Sequence, residues 1–574
     1  MYVRQEAVLS SQIEGTQSSL QDVLAAEAKV LSPDRPKDVN EVFNYVRAMN
    51  YGLDRLKDLR DLPVQHEPQL YPYGNGVKSL QVNCEARAGL IRPLIGTNRG
   101  PVSWPGDPQA PVFDFSENFR QFGIDSIRSH DFYGPTDWWV IFPNFTADAN
   151  APGSYDFASS DQRIGAIHDG GFECFYRLGT SWKGDNPLPI NDPPGTIRDQ
   201  GGQVVHQADS DDFKKFANIC TNIVRHYNQN WAGGHSYGIN YWEVWNEPDM
   251  AEQFWAGTPG QYYMLYEETA KAIKTLDPSL KVGGPGLSGA FTDIYLGGLA
   301  RWCRKTSTPL DFYSWHTYGG RDDYNPYCYY KYARIVRNAL DRYGFHNTES
   351  IVTEWNAGIR DEVFSDTPAG VAYYASSLMN MLDGGVTRAY PYVGDNAPML
   401  GLHDHETGQP VRATQSLIAW KRMQETPLRL AAIGSDKKGY NILAGTNEPA
   451  RKVQILISDY QSNYSGWALR VTNLSWSDQT PYQATRWVLD PSRTELEAVE
   501  TINRTGRTFV LKRNMSRRTI CLIEIRKTWP NRQTELAPGK LPPRRVLLRP
   551  GRRLSRRRPP APKRPPIRRP APRR

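Results

Sequence analysis

The sequence predicts an α/β protein, a (β/α)8 TIM barrel followed by a C-terminal β-sandwich. Two observations predict it: apolar strands alternate with helical stretches over residues 81–427, and strand follows strand over 428–527. The first pattern is typical of parallel β/α units, and the second of a sandwich. A helical segment (1–65), a linker (66–80) and a disordered basic tail (528–574) complete the predicted organisation.

The first two segments are assigned from spacing and composition. Ser19 precedes Leu20 as a helix N-cap would, and apolar residues recur at helical spacing on one face. These residues are Val39, Val42, Phe43, Val46, Met49 and Leu53. Residues 66–80 contain Pro, Gly and Asn, which is typical of a linker.

Eight strand candidates define the predicted barrel. They are residues 90–98, 124–130, 172–178, 239–247, 281–286, 311–318, 350–356 and 387–395. Most of the intervals between them are long enough for a crossover helix, and residues 211–229 show apolar positions three and four apart. In such a barrel, the polar residues at the C-terminal ends of the strands carry the chemistry.

Charge and composition restrict the function classes. The whole chain has a net charge of +8, but residues 541–574 contain thirteen Arg, one Lys and no acid. That tail therefore carries +14, which leaves −6 for the rest, so we do not expect the folded body to bind nucleic acid. The Pro/Arg composition of the tail predicts disorder.

Membrane, secretion and metal signals are weak in this sequence. No apolar run has the length of a membrane helix, and the start MYVRQEAVLSSQIEG has no apolar signal region. The chain as given reads as cytoplasmic, but the compartment of the protein stays open. The six Cys form no C-x-x-C pair and have no zinc-site spacing with His. We therefore predict no metal and no cofactor.

Two predicted strands end in a buried carboxylate. Asn246 and Glu247 end the fourth strand in W-E-V-W-N-E-P-D, and Glu354 lies near the end of the seventh in V-T-E-W-N. A Glu inside an apolar strand is costly unless it is paired or functional. Across a barrel mouth, two such groups suit glycoside hydrolysis, one as proton donor and one as nucleophile. Ion-paired core carboxylates are the structural alternative.

These motifs resemble glycoside hydrolase family 39 of clan A, which includes β-xylosidases, α-L-iduronidases and exopolysaccharide glycosidases. Besides W-N-E-P-D and T-E-W-N, the likeness rests on three further motifs in the same order. They are S-I-R-S-H-D (126–131), K-V-G-G-P-G (281–286) and D-F-Y-S-W-H-T-Y-G (311–319). The resemblance covers residues 85–525. It implies a retaining hydrolase acting on an oligo- or polysaccharide.

The resemblance also implies residue roles. Glu247 matches the general acid/base, Glu354 the nucleophile, and Asn246 the residue that binds the sugar 2-hydroxyl. Arg128 and His130 match strand-two polar residues, and a guanidinium there is expected to lower the pKa of Glu354. The remaining predicted substrate-binding residues are His316, Tyr318, Trp355 and Tyr392. The eighth strand reads AYPYVGD, where clan A enzymes often have a Trp platform, so the identity of the sugar stays open.

The N-terminal segment resembles the N-terminal region of Fic proteins, which transfer AMP to hydroxyl groups. Ser10, Glu14 and Gly15 match that family's inhibitory pattern [S/T]-x-x-x-E-[G/N]. The catalytic loop H-P-F-x-x-G-N-G-R is missing from this sequence, so a Fic core protein is the partner that the segment implies. A gene-fusion or gene-model artefact is the preferred explanation, and a genuine acquired docking domain is the alternative. A sugar-binding fusion protein with impaired catalysis, or a Fic-type regulatory fragment, is the alternative function.

Overall fold

A computed structural model describes residues 76–103, 112–290, 293–319, 325–358, 364–398 and 400–528. The predicted N-terminal helices, the residues Ser10, Glu14 and Gly15, and nearly all of the basic tail lie outside these ranges. Among the described residues, no helix is long and apolar enough to cross a bilayer.

Eight parallel strands form the central sheet, and they coincide with the eight predicted candidates. They are β2 (Gly96–Asn98), β3 (Ser126–Arg128), β4 (Glu173–Leu178), β7 (Tyr241–Val244), β8 (Lys281–Leu287), β9 (Phe312–Tyr318), β10 (Glu349–Asn356) and β11 (Arg388–Pro391). They neighbour one another in that order. Ile95 also pairs in parallel with Ala389, and the Ala389 N–H donates to the Leu94 carbonyl at 2.7 Å. The sheet is therefore a nearly closed barrel, as predicted.

Helices follow the barrel strands. They are α1 (Ser116–Phe122), α2 (Trp138–Ile141), α3 (Ala158–Asp169), α4 (Ser210–Gln229), α5 (Pro259–Leu276), α6 (Asp293–Thr306), α7 (Tyr327–Arg342), α8 (Pro368–Gly384) and α9 (Thr414–Met423). The predicted crossover helix at 211–229 is α4, and its Asp209 side chain caps the first turn by accepting from the backbone N–H groups of residues 211 and 212. A short hairpin of β5 (Ile197–Arg198) and β6 (Val204–His206) precedes α4.

Large side chains fill the interior of the barrel, so it is a packed core. Phe175, Tyr241, Phe312, Ile351 and Tyr390 form one buried cluster. Each comes from a different strand, as expected where inward residues stack in layers. Tyr390 requires a glycine opposite it: a Cβ on Gly96 would lie 2.3 Å from its ring.

The second large element is one nine-stranded sheet. Its strands are β1 (Val77–Leu90), β12 (Leu428–Ile433), β13 (Tyr440–Asn447), β14 (Lys452–Asp459), β15 (Gly466–Thr472), β16 (Pro481–Leu489), β17 (Glu497–Thr505), β18 (Phe509–Asn514) and β19 (Thr519–Lys527). Their order is β17-β16-β19-β14-β13-β12-β1-β15-β18. Eight of these strands lie in residues 428–527, where strand was predicted to follow strand, whereas β1 lies before the barrel. The two-layer sandwich stays a prediction.

Strand β1 corrects the predicted boundary of the linker and the barrel domain. Residues 77–80 were assigned to the linker, and 81–90 to the barrel, but all of them lie in the nine-stranded sheet. β1 pairs antiparallel with β12 and parallel with β15. Leu80, Val82 and Cys84 alternate into its core, which supplies the physical reason: burial of that face outweighs the turn-forming residues just before it.

The two edges of this sheet approach each other. Glu500 on β17 binds Arg513 on β18, the opposite edge strand, and it also accepts from Arg486 Nε at 3.0 Å. A cavity of about 510 Å³ lies there, lined by residues of both edges. The sheet is therefore curled.

Helix α8 joins the barrel to the sheet. Nearly all of its residues are buried, and Ser376 Oγ lies 2.9 Å from Ser458 Oγ on β14. Leu456 of β14 packs with the barrel cluster, whereas Ile455 and Ile457 face the core of the sheet. Both faces of β14 are buried, which explains its continuous apolar sequence.

Candidate active site

The chain turns sharply where β7 ends. Tyr241 and Glu243 face the barrel interior, and then Trp245 and Glu247 adopt positive φ values of 75° and 42°. Left-handed backbone is strained for residues with side chains and persists where the surroundings fix it. Here the Glu247 N–H donates to the Gly286 carbonyl at 2.9 Å. The turn presents Asn246 and Glu247 to the mouth of the barrel.

An irregularity in β10 directs Glu354 inward. Ile351 lies in the interior cluster, so strict alternation would also turn residue 353 inward and residue 354 outward. The register of β10 shifts after Val352 relative to both neighbouring strands. Such a shift reverses the phase of the side chains. Glu354 consequently faces the barrel interior, and the next residue, Trp355, faces away from it.

Strand β9 contributes two residues by regular alternation. Phe312 belongs to the interior cluster, and His316 and Tyr318 follow it on the same face. The Tyr318 hydroxyl donates to Glu354 Oε2 at 2.7 Å. His316 Nδ1 lies 2.6 Å from Glu247 Oε1 and 3.5 Å from Glu354 Oε2. His316 therefore lies between the two carboxyl groups.

Arg128, at the end of β3, is the centre of the hydrogen-bond network. Its side chain is fully buried and donates to Glu243 Oε2 at 2.7 Å, Asn98 Oδ1 at 3.0 Å, Glu354 Oε1 at 2.8 Å and Asn246 Oδ1 at 2.6 Å. A guanidinium only donates, so each of these four atoms is fixed as an acceptor. The Asn246 amide is thereby oriented with its NH2 group directed away from Arg128.

The two catalytic candidates are strongly buried. Glu247 is 7% exposed and Glu354 is 4% exposed. Burial raises the pKa of Glu247 well above its ordinary value, and the nearby Glu354 raises it further. Burial also raises the pKa of Glu354, to about 7, although Arg128 and the Tyr318 hydroxyl act to lower it. We predicted the effect of Arg128 correctly, but burial is larger, so Glu354 does not have a low pKa.

His130 is a second neighbour of Glu354. Its Nε2 lies 3.3 Å from Glu354 Oε1 and 3.2 Å from Asp131 Oδ1, and its Nδ1 accepts from Arg177 Nε at 3.1 Å. Burial and the Arg128 charge lower its pKa well below the ordinary value, so the ring is neutral. Glu354 is thus surrounded by donors on both oxygens.

Several buried polar atoms of the site and its network have no hydrogen-bond partner among the described residues, Glu243 Oε1 and Arg177 Nη1 among them. Two more, Asn246 Nδ2 and His316 Nε2, belong to residues that adjoin Glu247. Leaving a buried polar group unpaired is costly, so such atoms mark positions where a ligand hydroxyl would be bound.

Of the nine predicted site residues, seven lie together: Asn246, Glu247, Glu354, Arg128, His130, His316 and Tyr318. Tyr392 lies at their edge, because its hydroxyl donates to Asp131 Oδ2 and its ring meets that of Tyr318 edge-on at 6.2 Å. The prediction that Trp355 binds substrate is wrong. It is fully buried against Tyr329 of α7 and Tyr374 of α8, since adjacent residues of a strand face opposite sides.

Sequence reasoning missed four charged residues of this network: Glu243, Asp131, Arg177 and Asp137. Glu243 carried the same signal as Glu354, an acid inside an apolar strand, in the motif already singled out. Asp131 is the last residue of the quoted S-I-R-S-H-D motif. Arg177 and Asp137 gave no signal in the sequence. Their ion pair, at 2.7 Å, forms only when the fold brings β4 beside the loop before α2.

Three groups in the described residues bring metal-ligating atoms within 4.8 Å of one another. They are Glu247–His316–Glu354, Asp161–His226–His235 and His206–Asp209–Asp212. In the first group the Arg128 guanidinium already donates to Glu354, and a cation beside it would meet a repulsive charge. The donor arrangement there fits a carboxylate pair better than a metal ion.

Family models match two parts of the chain. Residues 122–394 match the model described as glycosyl hydrolases family 39, and residues 1–54 match the Fic/DOC family N-terminal model. Both resemblances drawn from the motifs are confirmed.

Individual relatives agree with the first match. A beta-xylosidase from Geobacillus stearothermophilus is 29% identical over 188 residues, covering 29% of this chain and 36% of that protein. A beta-xylosidase from Caldicellulosiruptor saccharolyticus is 42% identical over 87 residues, covering 14% of this chain and 17% of the relative. The chain thus spans about a third or less of these curated relatives. A crystal structure of a glucosidase from Croceicoccus marinus matches 79% of this chain and 100% of its own, with 26% identity and a TM-score of 0.64.

Proposed function

We propose that this chain is a retaining glycoside hydrolase that cleaves O-glycosidic bonds by double displacement. The observation that carries the proposal is the spacing of the carboxyl groups, because an oxygen of Glu247 and an oxygen of Glu354 lie within 4.8 Å of each other. Retaining enzymes hold the two groups about 5–5.5 Å apart, whereas inverting enzymes need a wider gap for water. The spacing therefore favours direct attack by a carboxylate.

In the first step Glu354 attacks the anomeric carbon, and Glu247 gives its proton to the leaving oxygen. The electrostatics support this division of roles. Arg128 and Tyr318 donate to Glu354 and favour its anion, whereas Glu247 has the acid Glu354 as its neighbour and stays protonated. In the second step Glu247, now ionised, takes a proton from water as the water oxygen bonds to the anomeric carbon and displaces Glu354, which leaves as the carboxylate.

Asn246 is proposed to bind the sugar 2-hydroxyl. Its Oδ1 is occupied by Arg128, so its unpartnered Nδ2 is the atom available to the substrate. Hydrogen bonds to the 2-hydroxyl strengthen in the transition state of glycoside hydrolysis, so a donor at this position would favour the reaction. His316, His130 and Tyr392 complete the proposed sugar site.

A β-xyloside is the first substrate class that we propose, because two of the relatives are named beta-xylosidases. Arabinofuranosides come next, since a further relative, 35% identical over 89 residues, is an intracellular exo-alpha-(1->5)-L-arabinofuranosidase from Bacillus subtilis. The N-terminal segment 1–65 is proposed to add nothing to this chemistry, because all of the proposed catalytic and sugar-binding residues lie between Arg128 and Tyr392. Binding of a Fic core protein through Glu14 stays a separate prediction.

An aryl-glycoside panel tests the proposal. β-Xylosides, α-arabinofuranosides, β-glucosides and α-iduronides are given to the wild type and to Glu247→Ala, with and without azide. An activated aryl group needs little acid help, so the variant should form the covalent intermediate, stall, and release a glycosyl azide of retained configuration. Glu349→Ala is the control. Glu349 begins β10 and pairs with Lys281, which begins β8, so this acid lies at the end of the barrel opposite to the site.

Two results would contradict the proposal. Inverted product from the wild type would exclude a covalent glycosyl-enzyme. Calorimetric binding of a sugar without turnover on any glycoside would instead support a sugar-binding protein that has lost catalysis.

A further inference from the structure

We propose that Arg177 is a positioning residue for the nucleophile, an inference that rests on the proposed function. It holds His130 as the neutral tautomer with its proton on Nε2, so that Glu354 Oε1 accepts a hydrogen bond from His130 as well as from Arg128. Arg177 itself touches neither carboxyl group and acts through the imidazole.

The geometry of the imidazole leads to this assignment. His130 Nδ1 lies 3.1 Å from Arg177 Nε, and the guanidinium can only donate. The Nδ1 atom must therefore present its lone pair, which places the ring proton on Nε2. That nitrogen faces Asp131 Oδ1 at 3.2 Å and Glu354 Oε1 at 3.3 Å, and both are acceptors when ionised.

Arg177 is held so firmly that it can impose this orientation. Its side chain is fully buried, and Nη2 donates to Asp137 Oδ1 at 2.7 Å. The Ser181 hydroxyl donates to the same Asp137 oxygen at 3.0 Å. The Arg177 backbone N–H donates to Ser129 Oγ at 3.1 Å, which fastens β4 to the residue next to His130.

Charges around His130 support the neutral form. The cations that face it are Arg128, Arg177 and Arg99, and the anions are Asp131 and Glu354. The other imidazole of the site, that of His316, is neutral as well. Phe254 covers one side of the His130 ring, with the ring centroids 6.1 Å apart. Arg177 thus has two effects: it occupies Nδ1, and its charge repels a second proton on the ring.

A glutamine at position 177 would remove both effects. Its amide can accept as well as donate, so either tautomer of His130 would find a partner. Loss of the cation would also remove one of the charges that lower the pKa of the ring. With the proton on Nδ1, the Nε2 lone pair would face Glu354 and repel the nucleophile. Arg177→Lys preserves a group that only donates and that is charged.

The test is histidine nitrogen NMR on the full chain carrying ¹⁵N-labelled histidine. His130 is assigned by the signal that His130→Gln removes. We expect a neutral Nε2–H tautomer from pH 5 to 8 in the wild type and in Arg177→Lys, and a mixed or titrating ring in Arg177→Gln. A wild-type Nδ1–H tautomer, or an unchanged ring in Arg177→Gln, would overturn the proposal. This readout does not need turnover, so it stands or fails separately from the glycosidase assignment.

Kinetics on the aryl glycoside supply the second readout. We expect kcat of Arg177→Gln to fall about 10- to 100-fold with little change in KM, and a new ionisation to enter the acid side of its pH profile, because loss of the cation raises the pKa of His130. Arg177→Lys should recover activity to within about threefold of wild type. If Arg177 had a purely structural role, kcat would fall equally in Arg177→Gln and Arg177→Lys, and no new ionisation would enter the pH profile.

Two further variants distinguish the loss of positioning from misfolding and from the general effect of removing an arginine. Arg177→Gln leaves Asp137 buried without its partner, so Arg177→Gln/Asp137→Asn removes both charges together. It should show the same mixed tautomer and the same kinetic loss. Arg198→Gln is the control, because Arg198 pairs with Asp192 on the surface hairpin and should leave kcat unchanged.

Discussion

At the scale of single residues, Glu354 and Glu247 have the same carboxyl group but differ in the residues that bind it. Glu354 receives hydrogen bonds from Arg128 and Tyr318, whereas Glu247 is bound by His316, a neutral ring. Burial raises both pKa values and the Arg128 charge lowers both, but only Glu354 accepts a hydrogen bond from that cation. Two residues of the same type are therefore suited to the proposed roles of nucleophile and acid in one cavity.

The pH profile of kcat/KM follows from these shifts. Activity needs Glu354 ionised and Glu247 protonated, so it should fall as the pH drops below about 7, where Glu354 gains its proton. It should also fall at alkaline pH, where Glu247 loses its proton, and the two limbs belong to the coupled pair. On an activated aryl glycoside, Glu247→Gln should lose the alkaline limb. An alkaline limb that persists in that variant would assign it to another group.

Stability should respond to the same groups. The pKa of Glu247 is higher in the folded chain than in the unfolded chain, so the folded chain binds more protons and the wild type loses stability as pH rises above the unfolded value, about 4.3. The free energy of unfolding of Glu247→Gln relative to the wild type should therefore be higher at pH 8 than at pH 4. Denaturant unfolding at both pH values measures it. Glu349→Gln, which loses its Lys281 partner, should show no such gain.

The proposed contact of Asn246 can be isolated with a matched substrate. Asn246→Ala should lower kcat/KM about 100-fold on an aryl β-xyloside, because the contact strengthens in the transition state. On the corresponding 2-deoxy glycoside the variant and the wild type should differ by less than about fivefold. Equal losses on both substrates would mean that Asn246 acts by fixing Arg128.

At the scale of elements, the phase of each strand decides which residues reach the site. His316 and Tyr318 were predictable because β9 alternates regularly. Trp355 was predicted wrongly because the shift in β10 turns Glu354 inward and its neighbour outward. Sequence alone does not reveal such a shift, since it arises from pairing with β9 and β11. The sequence predicted where the strands end, but it did not predict which residues of β10 face the interior of the barrel.

The tip of β8 supports the site through its backbone. Gly286 has a φ of +62°, and a Cβ there would lie 3.3 Å from Arg128 Nη2 and from Glu243 Oε1. Gly286→Ala should cost about 1–2 kcal/mol for the left-handed backbone and should lower kcat at least tenfold by displacing Arg128. Gly171→Ala, at a φ of +78° with open space around it, should destabilise similarly and leave kcat unchanged. Thermal unfolding and kcat together separate the two effects.

At the scale of the whole molecule, the barrel was predictable and the composition of the nine-stranded sheet was not. Strand β1 shows the reason. Its alternation of Leu80, Val82 and Cys84 is present in the sequence, but its partners β12 and β15 lie more than 330 residues later. Local patterns identify a strand and not its neighbours.

The molecule should tolerate loss of the residues before β1. A chain of residues 76–528 contains both sheets and the whole proposed site, so its kcat should stay within about twofold of the full chain. A chain that begins at residue 91 lacks β1 and should be insoluble or unfold at a much lower temperature, because Leu80 and Val82 leave a cavity in the sheet. Leu80→Ala is the milder variant, with an expected loss of about 2–5 kcal/mol.

The position of β1 also sets an order of events during synthesis. Gly76 and its partner Ser465 are separated by 389 residues. At about 5–20 residues per second, β1 leaves the ribosome roughly 20 to 80 seconds before β15 exists. Until β12 is made, the nascent chain carries β1 unpaired beside a barrel that is still being made. β1, the first strand of the described residues to be translated, is thus among the last to be paired, and a chaperone has its longest opportunity to bind there.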